Sequence, residues 1–120
     1  MQALSIRQPW AWAIIHAGKD VANRTWGTRY RGPLLIHASK NYDRDGKDWI
    51  QRCLGIEVPP DLPRGGIIGR VDLVGCTDHH DSAWFVGPMG LLLRNPEALP
   101  FLPCPGKLGF FEAPDQALLF

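Results

Sequence analysis

The chain is 120 residues long, enough for one domain of ordinary size and too short for two. With 45% apolar and 21% charged residues it is excluded from the disordered class, and no apolar run approaches the ~20 residues a membrane-spanning helix needs. The net charge of +1 hides an asymmetry: residues 1–60 carry nine Lys/Arg against five Asp/Glu, and residues 61–120 carry four against seven. One face can therefore meet phosphate while the other keeps the molecule soluble.

The start of the chain lacks a charged-then-apolar leader, so the expected address is cytoplasmic. Cys53, Cys76 and Cys104 are odd in number and form no Cys-x-x-Cys pair, which predicts reduced, mostly buried thiols rather than a disulfide framework or a zinc site. Gly 13 and Pro 11 imply many turns and short elements.

In chain order, Ala3 to Arg7 alternate apolar and polar, as in a half-buried strand. Pro9 suits a first helical position, and Trp10, Ala13, Ile14 and Ala17 recur at helical spacing until Gly18 closes the helix. Asp20 to Trp26 reads as an irregular extended segment and Gly27 to Gly32 as a basic turn. Pro33 to Ala38 is an apolar strand. Ser39 to Leu54 turns helical late, with Trp49, Ile50, Cys53 and Leu54 on one side. Pro59, Pro60 and Pro63 make Gly55 to Gly66 a loop. Ile67 to Cys76 is the longest strand, with Gly69 and Gly75 marking bends or bulges. Shorter strands are predicted at Ala83 to Val86, Gly90 to Arg94 and Lys107 to Glu112. The sum is an α+β, mainly β fold spanning residues 1–120 as a single domain: a small barrel of about five or six strands with two or more helices at its ends.

Several groups of residues can carry chemistry. Gln8, at a strand-to-helix junction beside Trp10, offers an amide donor and acceptor next to free helix N–H groups, or simply caps the helix. Lys19, Arg24 and Trp26 follow a glycine turn on an extended segment, a pattern that suits a stacked base with its phosphate. Tyr30 and Arg31, with Arg29, form a compact basic-aromatic patch of the composition used for single strands. Asp72, within the long strand, can pair with Arg70, Lys19 or Arg24; a lysine and a carboxylate sharing one cleft would shift each other's pKa and serve as acid and base. His37, His79 and His80 with Asp78 and Asp81 lack metal-ligand spacing, so no metal and no other cofactor is expected, and His37 reads as a satisfied core histidine.

Leu4-Ser5-Ile6, Gln8-Pro9-Trp10-Ala11, Gly18-Lys19 and Arg24-Thr25-Trp26 together resemble the start of the ASCH (activating signal cointegrator homology) domain. Arg31-Gly32-Pro33-Leu34-Leu35-Ile36-His37-Ala38, Gly66 to Leu73, Trp84 to Pro88, Asn95-Pro96 and Pro105 to Phe111 continue the likeness over nearly the whole chain. The resemblance implies a β-barrel like that of pseudouridine synthase and archaeosine transglycosylase (PUA) domains. It also implies a cleft between barrel and first helix for RNA or single-stranded nucleic acid. Lys19, Arg24 and Arg31 would then neutralise phosphate, with Trp26, Tyr30 and Trp10 as stacking surfaces and Gln8 nearby. A branch of the family hydrolyses the amide of acetylated cytidine with a lysine, a threonine and a glutamate, and other members are described as ribonucleases. On that pattern Lys19 and Asp72 would be the catalytic pair and a nucleoside the ligand, but the threonine position is Ala22, which has no group to attack with. A third reading is a protein adaptor using the loop Val58 to Arg64 and the apolar tail Ala117-Leu118-Leu119-Phe120, with its partner unassigned.

Overall fold

A computed structural model of the chain describes residues 1–114. The apolar tail at 117–120 lies outside the described residues. In chain order the elements are β1 (Gln2–Gln8), α1 (Trp10–His16), β2 (Val21–Arg24), β3 (Gly32–Tyr42), α2 (Arg44–Leu54), β4 (Gly66–Thr77), β5 (Met89–Pro103) and β6 (Phe110–Glu112). The strands form one sheet in the order β2-β5-β4-β3-β1-β6. β1 runs parallel to β3, and the other neighbouring pairs are antiparallel. The fold is α+β and mainly β, as predicted. No helix among the described residues is long and apolar enough to cross a membrane.

The sheet's two end strands come together through side chains. Trp26, just past β2, packs edge-on against Phe110 of β6 with ring centroids 5.3 Å apart. Arg24 of β2 donates to the Ser5 carbonyl of β1 at 3.3 Å. The sheet is therefore curled, with Leu4, Leu34, Ile36, Val71 and Leu91 inside the curl. Its other face is also covered: Ala3, Leu35, Ile67 and Phe111 form a second cluster with Leu99 and Leu102 of β5. Burial on both faces explains why β3 reads as a continuous apolar run instead of an alternation.

Helix α1 lies on this core through Ala11, Ala13, Ile14 and Ile15. It approaches β4 so closely that a Cβ on Gly69 would stand 2.6 Å from Ile15 Cδ1 and 2.6 Å from the Glu97 carbonyl oxygen. Gly69 thus has no room for a side chain, and the β4–β5 register shifts beside it, as it does beside Gly75. The bends expected at these glycines are present. Gly18 (φ +77°) ends α1 in the left-handed region as expected. Helix α2 is capped by Asp43, whose side chain accepts the Gly46 N–H, and is closed by left-handed Gly55.

Several expectations change. β3 continues four residues past Ala38, and α2 begins only at Arg44. Ile50 is the buried anchor of α2, while Cys53 is exposed; Cys76 and Cys104 are half-buried, so none of the thiols is fully buried. Residues 83–86 are a turn, not a strand, because their backbone bonds to the Asn23 side chain: Asn23 Nδ2 donates to the Trp84 carbonyl and its Oδ1 accepts from Val86. The strand predicted at Lys107 to Glu112 shrinks to Phe110–Glu112. β5 runs on to Pro103, through two prolines that read as breakers. β2 pairs only with Met89 to Leu92, so among the described residues the far flank of the rest of β5 has no strand partner. Pro96 and Pro100 fall on this stretch, where a missing N–H costs no ladder bond. Asn95 takes a left-handed turn (φ 56°) in front of Pro96, a conformation asparagine tolerates better than most residues.

Gln8 is completely buried. Its Oε1 accepts the Trp12 N–H at 2.8 Å, and its Nε2 donates to the Pro63 carbonyl at 2.9 Å, joining the first turn of α1 to the proline-rich loop. Gln8→Ala leaves both backbone groups without a partner, and each such group costs about 1–3 kcal/mol. The expected outcome is a fall of that order in urea-unfolding free energy; an unchanged midpoint and slope would refute the tie.

Candidate nucleic-acid interface

A cavity of about 1270 Å³ opens between α1, β1, β2 and the segment 104–109. The fold gathers Lys19, Arg24, Trp10 and Trp26 on its wall, four of the residues selected from sequence. Lys19 directly follows the Gly18 turn, and its backbone N–H donates to the Ala13 carbonyl at 3.0 Å. That bond turns the side chain back under α1, where it is only 5% exposed. Nζ donates to the Val21 carbonyl and lies 5.6 Å from the centroid of the Trp10 ring.

Burial, and then the neighbouring Arg24, lower the Lys19 pKa to about 8, against a smaller upward pull from Asp20. Burial likewise lowers that of Arg24, with Arg7 contributing. Arg24 is held by two carbonyls, its own neighbour Asn23 at 2.7 Å and Ser5 at 3.3 Å. Neither Lys19 nor Arg24 has a carboxylate in salt-bridge range among the described residues. A buried lysine beside a half-buried arginine, both on backbone carbonyls and neither in a salt bridge among the described residues, makes the cleft a place where an anion gains more than it would at an exposed surface.

A carboxylate not among the residues selected from sequence organises one wall. Asp43 Oδ2 accepts from Trp10 Nε1 at 2.9 Å, Oδ1 accepts the Gly46 N–H at 3.0 Å, and Arg7 lies 3.6 Å away. Burial works to raise the Asp43 pKa, but the Trp10 and Gly46 hydrogen bonds with the Arg7 charge hold it below the ordinary value. The Trp10 indole rests directly on Gly46, where a Cβ would be 2.6 Å from the ring. The available signal was an aspartate immediately before a helical pattern, a capping position whose second oxygen is free for another donor. Exposed Arg7 stands at the rim, as does the segment 105–109, which projects a fully exposed Leu108.

His37 also lines the cavity and packs edge-on against Phe111. Ser5 Oγ is 2.9 Å from Nδ1, and Nε2 is 2.8 Å from the Cys104 carbonyl. Both ring nitrogens have partners, so it is a satisfied buried histidine, as its apolar strand suggested. Among the described residues no group of three or more metal-ligating side chains comes together.

Four selected residues are not brought to this cleft. Gln8 is consumed by the α1 and loop bonds described above. Tyr30 donates to the Pro33 carbonyl and packs on Phe110. Arg31 reaches back to the Thr28 and Tyr30 carbonyls, both at 2.8 Å. Asp72 accepts from Asn95 at 2.9 Å. On β4 the inward residues are Val71 and Leu73, so strand alternation turns Asp72 to the opposite face, away from Lys19. The expected Lys19–Asp72 acid–base pair is therefore not assembled. Ala22 does line the cleft beside Lys19, and offers only a methyl group.

Residues 4–91 match the ASCH domain family. Activating signal cointegrator 1 of Homo sapiens is 34% identical over 80 residues, covering 61% of this chain and 14% of that protein. The Mus musculus protein of the same name is 36% identical over 80 residues, with the same shares. The chain thus spans a small part of the length of the curated relatives it matches. The matched region holds β1 to β4, both helices and the start of β5; the wall at 104–109 lies beyond it.

The buried lysine has a pH signature. Its folded pKa lies below that of a free lysine, so the unfolded chain binds the extra proton between about pH 8 and 10.5. Stability from this group therefore rises with pH through that window, by at most about 3 kcal/mol, and the full penalty applies below pH 8. In Lys19→Met this dependence disappears. Urea unfolding of both proteins at pH 7.5 and pH 10 should show the wild type gaining on the variant; a constant difference would contradict the buried, shifted amine.

Proposed function

The chain belongs to the ASCH domain family, and from that premise we propose that it binds RNA as a single strand, seating a base and its phosphate in the cleft. The observation that carries this reading is the pairing of Lys19 and Arg24, without a carboxylate partner among the described residues, beside the indoles of Trp10 and Trp26. Phosphate supplies the missing counter-charge, and an unstacked base supplies a planar surface for an indole. Arg7 and Lys40 at the rim extend the positive field toward the neighbouring phosphates.

A second reading, hydrolysis of a modified nucleoside or of RNA, draws on the lowered pKa of Lys19, which suits a proton-transfer role. Its difficulty is the absence of a second group beside that amine: Ala22 is inert, and Asp43 is already engaged by Trp10 and Gly46. Incubation with acetylated cytidine should give no turnover, and measurable release of acetate would favour this reading.

The binding reading is tested by titrating fluorescein-labelled single-stranded RNA at low salt. Losing a charged hydrogen bond costs about 1.5–3 kcal/mol, so Arg24→Ala and Lys19→Met should each weaken binding by roughly 10- to 100-fold. Each should also reduce the salt slope by about 0.7 for every phosphate the variant no longer neutralises. Arg31→Ala, outside the cleft, should bind as the wild type does. Equal affinity across all four proteins, or no binding at low salt, would overturn the proposal.

A further inference from the structure

A shallow groove of about 840 Å³ lies beside the mouth of the cleft, between the end of β3, the outer face of α2 and the proline-rich loop. Its elements join it to the cleft. Lys40 of β3 lines the cleft, and its carbonyl accepts from Arg64 of the groove at 3.1 Å. Two residues further along β3, about 6–7 Å on the same side of the strand, comes Tyr42. The Arg64 guanidinium carbon lies 6.0 Å from the centroid of the Tyr42 ring, and Arg44 and Arg64 both act on the Tyr42 hydroxyl electrostatically. Lys47, one turn along α2 from Arg44, completes the cationic side.

Asp48 and Asp61 also border the groove. Neither forms a salt bridge with these cations among the described residues. Arg44 and Arg64 are therefore within electrostatic reach of the Tyr42 ring, Lys47 lines the same groove, and none of the three is in a salt bridge among the described residues. This repeats, on a second surface, the combination found in the cleft: cations for a backbone and one π face for a base. Lys40 stands between the two.

We infer that the ligand is a strand several nucleotides long, running from the cleft across Lys40 into the groove, where Tyr42 takes a second base and Arg44, Lys47 and Arg64 take successive phosphates. The inference rests on the nucleic-acid reading of the cleft and names its ligand more narrowly, as a polymer and not a mononucleoside. Several cations spread over a surface add little for a nucleoside but accumulate along a chain. The flat, sequence-tolerant stacking surface of one tyrosine suits a track more than a recognition pocket.

The experiment is a length series. Oligouridylates of one, two, four, six and eight nucleotides are titrated against the wild type, Arg44→Glu/Lys47→Glu and Tyr42→Ala at low salt, with thermal melts to check that each variant is folded. Wild-type affinity should rise at least tenfold between two and six nucleotides and then level off. Both variants should bind the two-nucleotide ligand as the wild type does and lose most of that gain, and the double variant should have a shallower salt slope on the six-mer. Affinity independent of length, or a length gain untouched in both variants, overturns the track while leaving the cleft reading intact. Failure of every length to bind overturns the cleft reading itself. A polyglutamate peptide that displaces the six-mer from the wild type but not from the double variant would assign the groove to an acidic protein segment and also overturn the inference.

Discussion

One carboxylate holds the site together. Asp43 caps α2, fixes the Trp10 indole of α1 and pairs with Arg7 of β1, so the consecutive elements β1 and α1 meet the distant α2 on two oxygen atoms. The Trp10 ring it positions forms the aromatic side of the cleft and lies against the Lys19 ammonium. Without that carboxylate the indole N–H would lose its partner, α2 would lose its first-turn acceptor, and the wall facing Lys19 would be held by packing alone. The close seat of Trp10 on Gly46 makes the arrangement sterically unique: a side chain at residue 46 would displace the ring.

The electrostatics of the cleft follow from this framework. Lys19 is carried into a low-dielectric site by the Gly18 turn, and its ammonium is held there by the Val21 carbonyl, a group that stabilises charge only in part. Arg24 is brought beside it by the pairing of β2 with β5; its charge adds to the cost of the Lys19 ammonium, and Arg7 adds to that of Arg24. A folded protein normally avoids two such neighbours unless something neutralises them. The arrangement is intelligible as stability given up at a ligand site, since an incoming anion regains what the empty cleft lacks.

Much of this was legible in the sequence where local rules decide. The Gly18 cap, the amphipathic α1 and the glycine bends of β4 follow from turn chemistry and periodicity, and the first two put Lys19 beside Trp10; Arg24 and Trp26 join them through β2–β5 pairing and the Phe110 contact. What local rules could not decide was the direction in which a strand residue faces when both faces of the sheet are buried. Asp72 fits either face by pattern, and only the packing of Val71 and Leu73 turns it outward. Gln8, Tyr30 and Arg31 have the composition of ligand-binding residues but spend their polar atoms on nearby backbone. Asp43 and Arg7 are illegible for the opposite reason: 36 residues of sequence separate them, and their role exists only once β1 and α2 are adjacent.

The prolines in the second half of β5 have an effect on how copies of the molecule meet one another. Beyond Leu93, whose N–H still donates to the Asp20 carbonyl, residues 94–103 present a long flank that pairs with no strand among the described residues. Bare flanks of this length are templates on which a foreign strand can grow into a fibre. Pro96 and Pro100 interrupt the row of donors along it, and the left-handed kink at Asn95 bends it out of line. The same prolines that conceal the second half of this strand from a propensity reading leave it a poor template for an added strand.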